Sequence, residues 1–204
     1  SENNVELLSI QLHPNDAYCL EHEGERGKVE CSILVQGDCD RMAIRGHNAQ
    51  TREEFRRMVE AKEWDKLLRV VEIKKGQYTY SPLGTIHGSP NKPTDFDCIS
   101  LSFDTVNIPD DKNVGLDPVV EERDGCRVST FVDIPGVFTS FRVQVEEEGT
   151  YELPEFVFFF CIDGEGEING APIRKGQTVF VPCNFGPLSI RGTVDLGAMT
   201  YKNV

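Results

Sequence analysis

The chain has 204 residues, 39% of them hydrophobic, which is enough to bury one large core or two small ones. Its net charge of −13, from 34 acidic and 21 basic residues, argues against nucleic acid or an anionic membrane surface as a partner. The longest apolar run is far shorter than the roughly 20 residues of a membrane-spanning helix, and the N-terminal sequence lacks the form of a signal peptide.

Two pairs of polar side chains stand at alternate positions near the start of the chain. Gln11 and His13 are two residues apart, so on a strand that Pro14 ends both side chains project from one face. Lys28 and Glu30, at the start of a strand predicted for residues 29–35, share a face by the same rule. The two pairs can therefore line one pocket.

A helical segment is predicted at residues 51–69. Its apolar residues recur mostly at helical spacing and are Phe55, Met58, Val59, Trp64, Leu67 and Leu68. Thr51 and Glu54 have the spacing of a capping box, which predicts that a helix starts there. We expect two short helices that meet near Lys62.

An internal repeat relates the two halves of the chain. Residues 73–82 (IKKGQYTYSP) and 173–182 (IRKGQTVFVP) are identical at five of ten positions, at an offset of 100 residues. Each copy has the pattern of a tight turn at Lys-Gly followed by a β-rich run that Pro ends. The chain is therefore predicted to contain two similar β modules.

Short β-rich runs bounded by Gly, Asp or Pro fill much of the remaining sequence. Strands are predicted at residues 29–35, 96–103, 128–132, 139–145 and 156–162. Asp163-Gly164 has the composition of a hairpin turn, and the run 156–160 lacks alternation, which indicates a strand buried on both faces. Residues 109–125 show little periodicity, so we place there the connection between two antiparallel β-barrels in tandem.

The histidines are few, and their positions are His13, His22, His47 and His87. His87 follows the first copy of the repeat, whereas Pro187 holds the corresponding place in the second. Two imidazoles, one carboxylate and one amide oxygen suit zinc or another first-row divalent ion. These donors belong to Gln11, His13, Glu30 and His87. From spacing alone it stays open whether the two histidines merely line a barrel and Glu30 is a solvated carboxylate.

Several short motifs follow one another in the first half of the chain. They are LSIQLHPND at 8–16, HEGE at 22–25, GKVEC at 27–31, GHNA at 46–49, WDKLL at 64–68 and PLGTIH at 82–87. In this order they resemble the type I mannose-6-phosphate isomerases, and residues 168–190 resemble that family more weakly. The family is built on cupin barrels, so the resemblance implies a mainly β bicupin of two jelly-roll barrels, at residues 1–108 and 126–204. The helical segment 51–69 is then a small insertion in the first barrel.

The resemblance also implies roles for individual residues. It implies one zinc ion per chain, with the ligands Gln11, His13, Glu30 and His87. It implies substrate contacts at Ser9 and Lys28, where a hydroxyl and a cation suit a phosphorylated hexose. The implied reaction is the interconversion of mannose 6-phosphate and fructose 6-phosphate through an enediol. The second barrel is expected to hold no metal and to serve packing or dimer contact, and His22 and His47 receive no chemical role.

Two features depart from the family pattern. The family carries an arginine, thought to assist catalysis, after the second histidine, whereas residues 100–108 contain none. The nearest downstream basic residues are Lys112, Arg123, Arg127 and Arg142. Family members also carry a longer segment before the first motif, so the chain is expected to be either trimmed or a compact relative.

Other functions stay open beside the isomerase. One is a non-catalytic sugar-sensing or metal-binding cupin, and another is a cupin enzyme that acts on a different sugar or carbonyl compound. An arginine beside the metal favours turnover, whereas a pocket without one favours sensing. The seven cysteines include no CxxC pair and indicate reduced thiols, so a cytoplasmic location is predicted, and the oligomeric state is left open.

Overall fold

The computed structural model describes residues 10–35, 41–88, 103–108 and 116–201. The chain divides into two compact units, a first unit of Ser1–Leu116 and a second unit of Asp117–Val204. The fold is mainly β, with thirteen strands and three helices among the described residues. In these residues, no helix combines the length and the apolar character that a bilayer span requires.

Two small antiparallel sheets form the frame of the first unit. In chain order its described elements are α1 (Asp16–His22), β1 (Glu30–Ile33), β2 (Arg41–His47), α2 (Arg52–Glu60), α3 (Trp64–Leu67), β3 (Leu68–Ile73), β4 (Tyr78–Ser81) and β5 (His87–Gly88). One sheet pairs β1 with β4, and the other has the order β3–β2–β5. Glu30 therefore begins one sheet, and His87 begins an edge strand of the other.

Helices α2 and α3 lie in the segment where apolar spacing predicts two helices. The hydroxyl of Thr51 caps α2 by accepting a hydrogen bond from the backbone N–H of Glu54 at 3.1 Å. Lys62 separates the two helices with a φ of +55°. Phe55 and Leu67 are fully buried and pack with Ile44 of β2 in the core of the first unit.

The segment that carries Gln11 and His13 is not a regular strand. Only Gln11 pairs, in an isolated antiparallel bridge with His87. The side chain of Asn15 accepts a hydrogen bond from the backbone N–H of Tyr18 at 3.0 Å and caps α1, so a helix begins at Asp16, two residues after Pro14. Of the predicted strand at 96–103, residues 96–102 lie outside the described residues and Phe103 lies in a turn.

The two copies of the internal repeat form the same local structure. In both, the glycine of Lys-Gly has a positive φ, +79° at Gly76 and +86° at Gly176. The following glutamine accepts a hydrogen bond through its side chain at 2.9 Å, from the backbone N–H of Lys74 in the first copy and of Arg174 in the second. A strand then begins, so the sequence repeat marks an equivalent turn and strand in each unit.

Eight antiparallel strands make up the second unit. They are β6 (Val119–Arg123), β7 (Cys126–Ile134), β8 (Phe138–Val145), β9 (Glu148–Tyr151), β10 (Val157–Ile168), β11 (Ala171–Arg174), β12 (Thr178–Val181) and β13 (Leu188–Thr200). The main sheet has the order β11–β10–β13–β8–β7–β6, with β12 paired to β10 and β9 paired to β13. Strand β6 lies inside the predicted connection 109–125, because residues 119–123 pair with β7 despite their polar sequence.

The predicted hairpin turn at Asp163-Gly164 is wrong. Strand β10 continues through both residues with a shift of register between Cys161 and Asp163, and the chain reverses at Asn169-Gly170 instead. Gly164 has a φ of +83°, and a Cβ there would lie 2.0 Å from the carbonyl oxygen of Thr193. The glycine therefore permits an irregularity within a strand, where sequence composition indicated a turn.

The prediction of a strand buried on both faces at residues 156–160 is also wrong. Phe159 is fully buried, whereas Phe158 is 47% exposed and Phe180, its partner on β12, is 54% exposed. Their rings lie 4.9 Å apart, centroid to centroid. The aromatic run therefore alternates between an inner face in the core and an outer aromatic face.

Candidate metal centre

Three of the predicted ligands come together in the first unit. Nε2 of His13 lies 3.2 Å from Oε1 of Glu30, and Nε2 of His87 lies 3.2 Å from Oε2 of the same carboxylate. One potential ligand atom from each residue falls within 4.8 Å of the other two. Among the described residues this is the one group of at least three His, Cys, Asp or Glu side chains with such spacing.

The backbone explains why residues far apart in sequence meet here. Gln11 and His87 exchange two backbone hydrogen bonds of 2.9 Å, and residues opposed in this way project their side chains from the same face. The backbone N–H of Gly84 donates to the carbonyl of His13 at 2.7 Å, which ties the second ligand to the loop before β5. The bridge therefore places the side chain of Gln11, the fourth predicted ligand, on the face of His87.

Gly27 lies against residues 14–16, and this contact brings Lys28 and Glu30 close to His13. The backbone N–H of Gly27 donates to the side chain of Asp16 at 2.9 Å. A Cβ at residue 27 would lie 2.5 Å from the carbonyl oxygen of Pro14, so only glycine fits at this contact. Nζ of Lys28 lies 2.5 Å from Oε1 of Glu30, as expected for two side chains on one face.

His87 is held as a neutral imidazole with a free nitrogen. It is only 4% exposed, and its Nδ1 lies 2.9 Å from the carbonyl oxygen of Thr85, an acceptor that fixes the proton on Nδ1. Burial lowers the pKa of His87, although the Thr85 carbonyl and the charge of Glu30 oppose that effect. The remaining nitrogen, Nε2, is buried and makes no hydrogen bond among the described residues, because Glu30 is near it without hydrogen-bonding geometry. A backbone-anchored histidine with a free Nε2 is the usual form of a metal ligand.

Glu30 is held as a carboxylate. Burial acts to raise its pKa, but the hydrogen bond and the charge of Lys28, together with the hydrogen bond from His13, outweigh burial, and the pKa lies below its usual range. The predicted donor set thus consists of an anionic carboxylate, two imidazoles and an amide. In a tetrahedral zinc site with bonds of about 2.0–2.1 Å, ligand atoms stand about 3.3 Å apart. Both separations between an imidazole nitrogen and a Glu30 oxygen are 3.2 Å, so the residues fit a divalent ion.

The other predicted residues lie outside the described residues or outside the cluster. Ser9 lies outside the described residues. His47 is buried and hydrogen-bonds the carbonyl oxygen of Asn107 at 2.7 Å, and His22 contacts the ring of Tyr18, so neither belongs to the cluster.

The downstream basic residues belong to the second unit or lie outside the described residues. Arg142 pairs with Asp195, Arg127 pairs with Glu122, and the Arg123 guanidinium lies 5.1 Å from the ring centroid of Tyr151, all within the second unit. Lys112 is outside the described residues.

The structure adds a cation that sequence reasoning missed. Arg45, on β2, is opposite His87 in the β2–β5 pairing, and its charge acts on both Glu30 and His87. It immediately precedes the GHNA motif at residues 46–49, but nothing in that motif indicates which strand lies beside it. Only the sheet order β3–β2–β5 reveals that Arg45 neighbours a ligand.

The fold is mainly β and its donor set could hold a metal ion, and residues 127–200 match a family model described as the cupin domain of mannose-6-phosphate isomerase. The mannose-6-phosphate isomerase ManA of Bacillus subtilis (strain 168) is 30% identical over 215 residues, covering 91% of this chain and 68% of the relative. The chain belongs to the mannose-6-phosphate isomerase family.

Solved structures agree with the sequence relationship. The crystal structure of mannose 6-phosphate isomerase from Bacillus subtilis superposes with a TM-score of 0.81 at 25% identity, covering 95% of this chain and 71% of that one. A mannose 6-phosphate isomerase solved with zinc bound has a TM-score of 0.73 at 12% identity and covers 96% of this chain and 76% of its own. This second neighbour shows the shared fold.

Proposed function

We propose that this chain is a metal-dependent isomerase that interconverts the aldose mannose 6-phosphate and the ketose fructose 6-phosphate. One observation carries the proposal: in a member of this family, His13, Glu30 and His87 converge, and Nε2 of His87 has no hydrogen-bond partner among the described residues. A buried, backbone-anchored imidazole with a free nitrogen beside a carboxylate is suited to hold a divalent ion.

The ion would be held by Gln11, His13, Glu30 and His87. Zinc is the metal named for a solved relative, and two nitrogen and two oxygen donors suit it, although manganese, iron, cobalt and nickel accept the same donors. When bound, such an ion polarises the sugar oxygens and stabilises negative charge that develops beside the reacting carbons.

The reaction needs neither an oxidant nor a second substrate. A proton leaves C2 of the aldose and a proton is added at C1, while the hydroxyl proton of O2 passes to O1. Every atom of the aldose is therefore retained in the ketose. Negative charge develops on the two adjacent oxygens between these transfers, so cationic groups close to them lower the barrier.

Lys28 and Ser9 are assigned to the phosphate end of the substrate. The Lys28 side chain is 67% exposed and contacts the cluster through Glu30, so it stands at the solvent side of the metal centre. A phosphorylated sugar is repelled by a chain whose net charge is −13, and a local cation counters that repulsion. Lys28 is suited to this role because an ammonium group binds phosphate as a point charge.

The proposed architecture is a bicupin. Residues 1–108 form the metal-binding barrel with the helical insertion 51–69, residues 109–125 lead to the second barrel and contain its edge strand β6, and residues 126–204 form the rest of a barrel without metal. The equivalent turns at Gly76 and Gly176 support this division, as does the cupin-domain match at residues 127–200. The cytoplasmic location stays a prediction from the cysteines.

A coupled assay tests the activity directly. Zinc-loaded protein is mixed with mannose 6-phosphate, and the formation of fructose 6-phosphate is followed, with glucose 6-phosphate as the substrate control. Turnover that requires the metal and prefers mannose 6-phosphate supports the proposal. Protein that carries one zinc per chain yet shows no turnover at high enzyme concentration would instead favour the sugar-binding or sensing role.

A further inference from the structure

Arg45 stands in a row with two of the metal-centre residues. His87 pairs with Gln11 on one side and with Arg45 on the other, both in antiparallel geometry. Directly opposed residues in antiparallel pairs project from the same face. Gln11, His87 and Arg45 therefore present their side chains to the same side of the sheet, with His87 in the middle.

The guanidinium of Arg45 reaches toward the other sheet of the first unit. Its Nη2 donates to Oγ1 of Thr79 on β4 at 3.4 Å, and Thr79 is itself 2.8 Å from the hydroxyl of Ser32 on β1. Ser32 is two residues from Glu30 and shares its face. Arg45 thus pairs with the strand that carries His87 and contacts the sheet that carries Glu30.

Arg45 holds a charge that the described residues leave poorly satisfied. The side chain is half-buried, Nη1 donates to the carbonyl of its neighbour Ile44 at 3.0 Å, and Nε is buried without a hydrogen-bond partner. No carboxylate of the described residues forms an ion pair with it. Burial lowers the pKa of Arg45, and the charge of Glu30 opposes that effect. The two hydrogen bonds of Nη1 and Nη2 use two of the five N–H donors of the guanidinium, so this half-buried cation keeps further N–H groups on Nη1 and Nη2 for an anion.

Exposure distinguishes the two cations of the site. His87 is 4% exposed and is the most buried of the predicted ligands, whereas the Lys28 side chain is 67% exposed. Arg45 pairs with the buried His87, beside which a metal would hold the reacting oxygens, and the exposed Lys28 marks the solvent side, where a phosphate would keep part of its hydration. The two cations are therefore suited to different parts of the substrate.

We infer that Arg45 is a catalytic residue that hydrogen-bonds the sugar oxygen on which negative charge develops during isomerisation. This inference rests on the proposed function. A guanidinium keeps its proton at working pH, so Arg45 stabilises charge and does not act as the base. Its planar set of N–H donors offers the anion more than one hydrogen bond, which an ammonium group on a flexible stem does not do in the same geometry.

Kinetics of the zinc-loaded full chain test this role. In R45Q, kcat should fall by about 10²- to 10³-fold, as it does when an oxyanion donor is removed, while KM stays within about threefold and the zinc content stays at one per chain. The kcat of R45K should lie between the kcat of R45Q and that of the unchanged chain. R127Q is the matched control, because Arg127 is exposed and pairs with Glu122 in the second unit, and its kcat should not change. A kcat of R45Q within threefold of the unchanged chain overturns the inference, as does a loss of kcat that follows a loss of zinc.

Binding separates this inference from the isomerase proposal itself. The hydroxamate of 5-phosphoarabinonic acid presents two adjacent oxygens in place of the enediolate, and its affinity can be measured by calorimetry without turnover. R45Q should weaken hydroxamate binding by about 10-fold or more and leave binding of inorganic phosphate unchanged, whereas K28Q should weaken phosphate binding. Equal hydroxamate affinity in R45Q and the unchanged chain overturns the role of Arg45. If the unchanged chain shows no turnover but these differences in binding are observed, the result counts against the isomerase proposal and not against the role of Arg45.

Discussion

Replacing His87 with alanine should abolish metal binding without unfolding the first unit. His87 supplies one of the donors and is the most buried of them, so H87A loses a ligand and also the face-sharing partner of Gln11. Loss of outer partners of a metal ligand already costs about 10- to 100-fold in affinity, and loss of the ligand itself should cost more. Zinc measured by elemental analysis after dialysis should fall from one per chain to a trace.

Thermal unfolding measures how much the binding of zinc stabilises the folded chain. At free zinc 100 times its dissociation constant, binding stabilises the folded chain by about 2.7 kcal/mol. For a cooperative unit of the size of Ser1–Leu116, this corresponds to a rise in Tm of about 10 °C. The unchanged chain should show this rise on adding zinc, and H87A should show almost none at the same concentration.

His47 provides a matched control for the removal of a buried imidazole. It is also 4% exposed, but it hydrogen-bonds Asn107 and packs on Phe55 instead of facing the cluster. H47A should lower Tm because a buried carbonyl loses its partner, at a cost of about 1–3 kcal/mol, yet it should keep the rise caused by zinc. If H47A does not fold, H22A serves as the control, because His22 lies at the exposed end of α1 and its removal should also keep the rise caused by zinc. A zinc-induced rise in H87A equal to that of the unchanged chain would refute the ligand assignment.

Three further predictions concern the edge of the site and the second unit. K28Q should raise KM for mannose 6-phosphate by about 10-fold with little effect on zinc content, measured by steady-state kinetics; an unchanged KM removes Lys28 from the phosphate site. G164A should destabilise the second unit by about 3 kcal/mol in urea unfolding, because a Cβ would meet the carbonyl of Thr193, whereas G176A, with open space and a similar φ, should cost about 1–2 kcal/mol; equal losses would contradict the close approach. Burial raises the pKa of Tyr151 to about 12, above its unfolded value near 10. Its neutral form therefore stabilises the fold fully below pH 10, and about 2–3 kcal/mol is lost as the pH rises from 10 through 12. The free energy of unfolding of Y151F should not show this decrease at alkaline pH. The same pH dependence in Y151F and the unchanged chain would contradict the raised pKa of Tyr151.

The sequence was sufficient to find the residues of the cluster. Gln11, His13, Glu30 and His87 stand in motifs that resemble a known family, and three of them converge in the structure. The local spacing argument for a strand at Gln11 and His13 was less reliable, because a single bridge to His87 replaces that strand. The motifs identified the ligands although the local geometry assumed for them was incomplete.

Arg45 could not be found from the sequence because its importance arises from strand order. A strand residue meets its cross-strand partner through the topology, and no local pattern predicted that β5, only two residues long, pairs with β2. The family pattern places an arginine downstream of the second histidine, at residues 100–108, whereas Arg45 lies upstream of His87 in sequence.

The errors in the second unit have a common physical cause. Gly164 follows an aspartate, as in many turns, but its freedom to adopt positive φ serves an irregularity within β10. Phe158 is as apolar as Phe159, but it lies on the outer face, where it contacts Phe180. Composition determines what a residue can do locally, whereas the neighbouring strands determine which of these possibilities the fold uses.

Anomalous diffraction at the zinc edge, on crystals of zinc-loaded protein, tests the central claim most directly. We predict one anomalous peak in the first unit, about 2.0–2.2 Å from Nε2 of His13, Nε2 of His87 and an oxygen of Glu30, with the Gln11 amide oxygen as the fourth ligand. A peak elsewhere, or no peak at this cluster in protein that carries zinc, would contradict the account.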